Sequence, residues 1–152
     1  MKNTDNSKIQ NTTKITAKLD ALFEITLEKG IELFNSQKYE LAINYLSDTI
    51  KMGLYSAKAY FYRGSAYLAL GKYKSAISDY SVLIKIDPNK KEYYENRVSA
   101  YLALEQYDLA IVDYSILIKM DPNKKEYYES RGTVYLALEQ YESAITDYSK
   151  AI

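Results

Sequence analysis

The sequence predicts an all-α fold in which pairs of helices stack side by side, and two observations carry this prediction. The segment KKEYYENRVSAYLALEQYDLAIVDYSILIKMDPN begins at Lys90, and a near copy of it begins at Lys124. Within each copy the apolar residues recur every three or four positions, which is typical of an amphipathic helix and not of a strand. The two copies begin 34 residues apart. A repeat of about this length cannot bury its apolar face alone, so neighbouring copies must share one core. We therefore expect an extended surface and not a closed pocket.

Each repeat is expected to contain two helices joined by a short break. An earlier copy begins at Ala59, and the expected breaks are Gly71-Lys72, Glu105-Gln106 and Glu139-Gln140. The second helix should end at Asp-Pro-Asn, because proline cannot continue a helix and disfavours helical geometry in the residue before it. Pro88 and Pro122, one period apart, mark these ends.

The residues after the two prolines predict how the next helix begins. Asn89 and Asn123 follow the prolines directly, and Glu92 and Glu126 come three residues later. This is the spacing of a capping box, in which the first side chain accepts a backbone N–H of the helix and the glutamate reaches back. We therefore expect Asn89 and Asn123 to cap these helices.

The copies keep the same residue types at the same offsets, namely Tyr, Arg-Gly, Tyr-Leu, Tyr, Ala-Ile, Asp-Tyr and Asp-Pro, with Val98 in place of one glycine. This pattern resembles the tetratricopeptide repeat over roughly residues 57 to 152. The resemblance implies an α-α superhelix, a right-handed solenoid of antiparallel helix pairs. The matching columns are Tyr60, Tyr94 and Tyr128; Tyr67, Tyr101 and Tyr135; Tyr73, Tyr107 and Tyr141; Ala76, Ala110 and Ala144; and Tyr80, Tyr114 and Tyr148.

The predicted domain organisation is a flexible polar tail over residues 1–16 and a repeat domain over 17–152. The repeats are expected at about 23–56, 57–90, 91–124 and 125–152. The first is degenerate: Gly30, Tyr39 and Ala42 are in phase, but Thr26, Leu33 and Leu46 replace tyrosines. Terminal repeats are commonly atypical because one of their faces meets solvent. The last copy is truncated within its second helix, so its last helices are expected to lack a cap.

Composition excludes several classes of function. The chain has 20 basic and 20 acidic residues, and it contains neither cysteine nor histidine. The charge balance shows no bias toward nucleic acid or an anionic membrane. Disulfides, Cys/His zinc sites and the commonest general base are absent. We expect no enzyme activity, no cofactor, no metal, no nucleic-acid partner and no membrane association. Without a signal peptide or spanning segment, the default location is cytoplasmic.

The 18 tyrosines are expected to serve mainly in core packing. Those after residue 56 recur at helix-packing positions, where a buried ring can place its hydroxyl at the wet edge of a helix interface. Tyr62, Tyr93 and Tyr127 fit that phase less clearly, so we expect these three to be exposed.

Arginine and aspartate also recur in register. Arg63, Arg97 and Arg131 are followed, at one constant interval, by Asp79, Asp113 and Asp147. In an antiparallel helix pair whose turn lies midway, residues at that separation come level, so bidentate ion pairs are expected. The alternative is a basic stripe for phosphates, which three aspartates in register argue against.

The resemblance also implies which residues face a partner, because the first helix of each repeat lines the concave groove in this family. The second repeat then contributes Lys58, Phe61 and Ser65, the third Glu92, Glu95, Asn96 and Ser99, and the fourth Glu126, Glu129, Ser130 and Thr133. The same helices end in Leu68-Ala69, Leu102-Ala103 and Leu136-Ala137. Relatives that clamp a peptide's terminal carboxylate use lysines, asparagines and an arginine, and only Asn96 matches that set here. We therefore do not expect carboxylate clamping.

The four groove glutamates allow two interpretations. As a functional surface they favour a basic or amide-rich segment of a partner, because complementary potential steers association. As a solvated helix start they suit the positive end of the helix dipole and pair one turn apart, as Lys91–Glu95 and Lys125–Glu129.

The resemblance and the lack of a catalytic constellation favour a non-catalytic scaffold that binds a peptide segment of another protein in the concave groove. The alternative is an N-terminal recruitment or regulatory segment of a larger protein or enzyme whose activity lies beyond residue 152. Self-association through the uncapped C-terminal helices is compatible with either.

Overall fold

The computed structural model describes residues 3–53 and 56–152, and within these ranges it contains eight helices and no strand. The predicted all-α fold class is therefore confirmed. The helices are α1 (Asn3–Asn35), α2 (Tyr39–Lys51), α3 (Ala57–Ala69), α4 (Tyr73–Ile86), α5 (Lys91–Ala103), α6 (Tyr107–Met120), α7 (Lys125–Ala137) and α8 (Tyr141–Ala151).

Helix α1 begins much earlier than the sequence predicts. Residues 3–16 of the predicted tail are helical, while residues 1 and 2 lie outside the described residues. Every side chain from Gln10 to Leu22 is exposed, so this part of α1 has no packing against other helices. Thr12 and Thr16 donate their hydroxyls to the carbonyls four residues earlier, at 2.9 and 3.0 Å. The helix here rests on its own hydrogen bonds, and the flexibility of the tail stays a prediction.

The turn inside each helix pair recurs with the period of the repeat and confirms the predicted breaks. Gln37, Gly71, Glu105 and Glu139 all have positive φ, between 55° and 68°. The residue after each donates its N–H to the carbonyl five residues earlier, as in Lys72 to Tyr67 at 2.8 Å and Gln106 to Tyr101 at 2.9 Å. This is the Schellman arrangement that ends many helices. Only Gly71 adopts the left-handed region without a steric cost from Cβ.

The Asp-Pro-Asn segments end the second helices as predicted, but the predicted asparagine caps are wrong. The N-cap positions of α5 and α7 are Lys90 and Lys124, and neither makes a side-chain capping bond. The N–H of Asn89 instead donates to the Asp87 carboxylate at 3.2 Å. Asp87 thus closes a local turn with Asn89. Because the N-cap is the residue after the asparagine, the glutamate is no longer at the third helical position that a capping box requires.

The chain divides into two compact units, Met1–Arg63 and Gly64–Ile152. In the first unit α1 packs on α2. A Cβ on Gly30 would lie 2.8 Å from the Leu46 side chain, so only glycine allows the observed approach of these helices. The core residues of this unit are Phe23, Leu27, Leu33, Ala42, Leu46 and Ala59.

In the second unit each helix from α4 to α8 packs on the next in sequence. Ala76, Ala110 and Ala144, one period apart, are completely buried, which agrees with small residues where helices approach closely. The central core cluster consists of Tyr94, Val98, Tyr101, Ala110, Leu117 and Tyr127.

Tyrosine packing is only partly as predicted. Tyr80, Tyr94, Tyr101 and Tyr128 are buried, but so are Tyr93 and Tyr127, at 5% exposure each, where the sequence predicts exposure. The ammonium groups of Lys90 and Lys124 lie over these two rings, at 5.4 and 4.3 Å from the ring centroids. Tyr62 is half-buried, with its ring 5.3 Å from that of Phe34. The phase within one helix does not reveal these contacts: lysines just before α5 and α7 lie over Tyr93 and Tyr127, and the partners of Tyr127 and Tyr62 include Glu95 and Phe34 from other helices.

Candidate functional site

The repeated arginines of the second unit are held inside the repeat array. Arg97 donates from Nε and Nη2 to both carboxylate oxygens of Asp113, at 2.8 and 2.7 Å. Arg131 binds Asp147 in the same way, at 2.7 and 2.8 Å. Both predicted pairs are confirmed, and the basic-stripe alternative fails for these two arginines because their charge is matched. The third predicted pair, Arg63 with Asp79, stays a prediction.

A second bond from each arginine was not predicted. The Nη1 atoms of Arg97 and Arg131 donate to the hydroxyls of Ser81 and Ser115 in the preceding repeat, at 2.9 and 2.8 Å. In the first unit Arg63 donates to Ser47 at 3.0 Å. The sequence carries a signal for this bond, since the three serines recur with the period of the repeat and each precedes its arginine by the same interval. Each arginine therefore joins two successive repeats.

Glu95, a predicted groove residue, is tied to the next repeat. Its carboxylate accepts hydrogen bonds from the hydroxyl of Tyr127 and from the ammonium of Lys124, the latter at 3.1 Å. These bonds hold the pKa of Glu95 below its ordinary value, chiefly through Tyr127, against the opposing effect of burial. The predicted one-turn pairs are wrong: Lys91 binds Asp121 at 2.8 Å, and Lys125 donates to the carbonyl of Ile152. Glu95, Lys91 and Lys125 each bind a partner from a distant segment and not a neighbour one turn away.

The other predicted groove residues remain at the surface. Lys58 and Phe61 belong to the first unit, where Lys58 is exposed and Phe61 half-buried. In the second unit Glu92, Ser99, Glu126, Glu129 and Thr133 are exposed, whereas Ser65, Asn96 and Ser130 are half-buried, as is Glu95. Residues three, four and seven positions apart share a face of a helix, so the members on α5 and on α7 form one surface each.

Three of the four predicted groove acids stay available. Glu92, Glu126 and Glu129 are exposed, and within residues 3–53 and 56–152 none of them forms a salt bridge. Glu92 lies close enough to Tyr80 to contribute to the raised pKa of that hydroxyl. The accessible faces of α5 and α7 therefore carry three carboxylates that no salt bridge among the described residues matches.

Tyrosine hydroxyls from the second helices reach this surface. Tyr80 bonds Ser65 at 2.8 Å, and Tyr148 bonds Thr133 at 3.0 Å, in both cases within one repeat. Burial raises the pKa of Tyr80 to about 12, with partial compensation from Ser65, so this hydroxyl is protonated at neutral pH.

The third repeat breaks this regularity. Its serine at the matching position, Ser99, donates to the Glu95 carbonyl at 3.1 Å, and Tyr114 lies beside Ser130 of the following repeat. The third repeat also differs from the other two at position 98. A Cβ on Gly64 or Gly132 would come within 3.2 Å of the facing tyrosine ring, and Val98 fills that space in the third repeat. The ring of Tyr114 therefore cannot lie as close to α5 as the other two lie to their own first helices.

Beside Tyr114 a cavity of about 340 Å³ opens at the surface of the second unit. We refer to it as the Tyr114 cavity. Its lining residues are Leu102, Tyr107, Tyr114, Ser130, Thr133, Val134 and Ala137. Ser130 and Thr133 are predicted groove residues, so the cavity lies on the predicted binding face. The cavity was not predicted, because its only signal in the sequence is the single valine in a column of glycines.

No described helix combines the length and the apolar character needed to cross a lipid bilayer. In the same residues, the structure shows no group of three or more acidic side chains placed to hold a metal ion.

Comparison with solved structures shows which fold this is. The structure described as "Crystal structure of MamA" is 24% identical, covers 91% of this chain and 81% of its own, and gives a TM-score of 0.78. "MamA AMB-1 P212121" is 17% identical, with 97% and 84% covered and a TM-score of 0.79. "MamA 41-end from Desulfovibrio magneticus RS-1" is 21% identical, with 85% and 73% covered and a TM-score of 0.75. At these identities the likeness establishes the fold alone.

Comparison at the level of sequence identifies the family. A search of curated protein sequences finds no match. The family model described as "Tetratricopeptide repeat" matches residues 27–91 and 96–152, which together are most of the chain. The match includes the first helix pair, where the sequence departs most from the repeat pattern. This chain belongs to the tetratricopeptide repeat family.

Proposed function

We propose that the chain is a non-catalytic protein-interaction scaffold, and that the accessible faces of α5 and α7 bind a basic peptide segment of a partner protein. One observation carries this proposal. Glu92, Glu126 and Glu129 are exposed without a salt bridge among the described residues, whereas Arg97 and Arg131 are matched by buried aspartates. The surface therefore offers three carboxylates against one exposed lysine, Lys125, even though the chain as a whole is neutral.

Such a surface acts mainly on the encounter with a partner. Complementary charges raise the association rate and oppose partners of like charge, and salt screens exposed charges over about 10 Å at 0.1 M ionic strength. A peptide with Lys or Arg at matching positions should therefore bind faster at low salt. The hydroxyls of Ser99 and Thr133 on the same faces can supply polar contacts to a peptide backbone.

The experiment begins with the selection of short random peptides on the whole chain, followed by binding measurements with a selected, fluorescently labelled peptide at low and high salt. The double variant Glu126→Lys, Glu129→Lys should weaken binding about ten-fold or more, because it turns attraction into repulsion. The matched control is Asp108→Lys, Glu142→Lys, which makes the same charge change on the exposed surfaces of α6 and α8.

Three results would contradict the proposal: selection of acidic peptides, equal effects of the two double variants, or no enrichment of any peptide. If binding survives the α7 reversal and is lost with the control, the interface lies on the second helices. Both variants should retain helicity and melting temperature, because exposed charges contribute little to stability.

A further inference from the structure

We propose that the Tyr114 cavity holds one apolar side chain of the bound peptide, with a basic residue of the peptide beside it at Glu129, and that this contact sets the register of binding. The proposal rests on the proposed function and specifies the peptide that the acidic surface accepts.

The cavity lies where the pattern of tyrosine contacts changes. In the second and fourth repeats the tyrosine hydroxyl bonds the first helix of its own repeat, through Tyr80 to Ser65 and Tyr148 to Thr133. In the third repeat, where Val98 replaces glycine, Tyr114 lies beside Ser130 of the following repeat. The side chain of Tyr114 then forms one wall of the opening, with Leu102 on α5 and Val134 on α7.

The chemistry of the lining selects an apolar occupant. Thr133 at the wall is already bonded to both the Glu129 carbonyl and Tyr148. The surface of the lining is mainly carbon. A polar group placed against that carbon would lose hydration without a hydrogen-bond partner, which is unfavourable.

The size of the cavity favours a side chain over a free small molecule. About 340 Å³ is near the lower end of the range for small-molecule pockets, and the cavity is open to solvent. A leucine, isoleucine, methionine or phenylalanine side chain can enter while its backbone stays on the surface. This is the usual form of an anchor residue in peptide recognition.

The carboxylate of Glu129 favours a basic peptide residue next to the apolar side chain. Glu129 directly precedes Ser130 and stands one turn before Thr133, both of which line the cavity. Its carboxylate is exposed and, in the described part of the chain, unmatched by a salt bridge. A Lys or Arg next to the apolar anchor would meet this carboxylate at the edge of the cavity.

The contact in the Tyr114 cavity would determine how the peptide aligns with the repeats. The segment KKEYYE occurs twice, at residues 90–95 and 124–129, so Glu92 and Glu126 present similar charges one repeat apart. Electrostatic attraction alone would let a basic peptide bind in either of two frames. An apolar cavity at the junction of the third and fourth repeats would favour one of the two frames.

The test uses the whole chain and a peptide selected on it from a random library. Ala137 lines the cavity and is exposed at the last position of α7. Ala137→Trp should fill the cavity and weaken binding of the selected peptide about ten- to a hundred-fold, the value of burying one apolar side chain. Val112→Trp, on the exposed surface of α6 and outside the proposed binding faces, is the control and should change binding less than about three-fold. Circular dichroism melts show whether both variants fold.

The outcomes separate this proposal from the function on which it rests. Alanine replacement along the peptide should identify one apolar position whose loss matches the effect of Ala137→Trp, with no further loss when both changes are combined. If the peptide still responds to Glu126→Lys, Glu129→Lys but is insensitive to Ala137→Trp, the acidic surface binds peptide and the cavity proposal is wrong. If no peptide binds, or the glutamate reversal is without effect, the proposed function fails and this inference fails with it.

Discussion

Arg97 and Asp113 form a bidentate ion pair in which the aspartate is 1% exposed and the guanidinium also binds Ser81 of the preceding repeat. A buried pair of this kind costs desolvation energy, so its net contribution to stability is small compared with the cost of leaving one partner alone. We expect Arg97→Met to destabilise the chain by about 3 to 5 kcal/mol, because it leaves the Asp113 carboxylate buried and uncompensated.

The double variant Arg97→Met, Asp113→Leu should recover a large part of that loss, since neither residue then carries an unmatched charge. Urea unfolding of the four proteins in this cycle measures the coupling. A coupling energy near zero would show that the pair does not act as a unit.

The second prediction concerns Ala110, which is completely buried in the core of the second unit. Ala110→Leu should destabilise the chain by about 1 to 3 kcal/mol through overpacking. Val112→Leu is the control, because Val112 lies on the same helix and is 55% exposed. Equal melting temperatures for the two variants would indicate that α6 does not approach its neighbours as closely as the structure shows.

The third prediction uses the pH dependence of stability. The folded-state pKa of Glu95 is lowered from 4.5, chiefly by the hydrogen bond from Tyr127. A carboxyl group whose pKa is lower in the folded state contributes stability above its unfolded pKa and loses it as pH falls through the folded value. Stability should therefore decrease as pH falls below about 4.5, and Glu95→Gln should remove part of that decrease.

The control for this titration is Glu129→Gln. Glu129 is the equivalent residue one repeat later and is exposed without a salt bridge among the described residues. Between neutral and acidic pH, the melting temperature should fall less for Glu95→Gln than for Glu129→Gln. Identical pH profiles for the two variants would mean that the bonds of Glu95 to Lys124 and Tyr127 do not persist in solution.

These interactions show which parts of the structure the sequence could predict. Arg97 with Asp113 could be predicted because both lie in one helix pair, where spacing about a known turn determines which residues come level. The bond from Arg97 to Ser81 could not be derived in that way, because it depends on how successive repeats are staggered. The predicted pair of Lys91 with Glu95 was wrong for the same reason, since the partners of Glu95, Lys124 and Tyr127, belong to the next repeat.

Local competition explains the other errors. The asparagine after each proline had the spacing of a capping box. In the first of the two segments, however, the backbone N–H of Asn89 donates to the carboxylate of the aspartate before the proline. Tyr93 and Tyr127 fell outside the phase of the main tyrosine columns, yet lysine ammonium groups cover their rings. The helical start of α1 has few apolar residues in register, so periodicity gave it no strong signal.

The last prediction tests how valine reshapes one repeat. Val98 holds the place of Gly64 and Gly132, and we expect the helices of the third repeat to stand slightly further apart there than in the other repeats. Gly132→Val should reproduce this change in the fourth repeat, because a Cβ would come within 3.2 Å of the Tyr148 ring. The ring must then move away, and the Thr133–Tyr148 hydrogen bond at 3.0 Å should be lost.

The stability change in Gly132→Val combines two opposing effects. Valine favours a helix over glycine by about 0.5 kcal/mol, while the lost hydrogen bond costs about 1 kcal/mol and ring displacement adds strain. We therefore expect modest destabilisation, measured by urea unfolding, together with a shifted Tyr148 ring in a crystal structure. Gly53→Val is not a suitable control, because Gly53 has a positive φ and valine would strain the backbone there. Gly132→Ala adds only Cβ and therefore lies between the natural chain and Gly132→Val. An unmoved Tyr148 in the valine variant would rule out Val98 as the cause of the Tyr114 arrangement and of the cavity beside it.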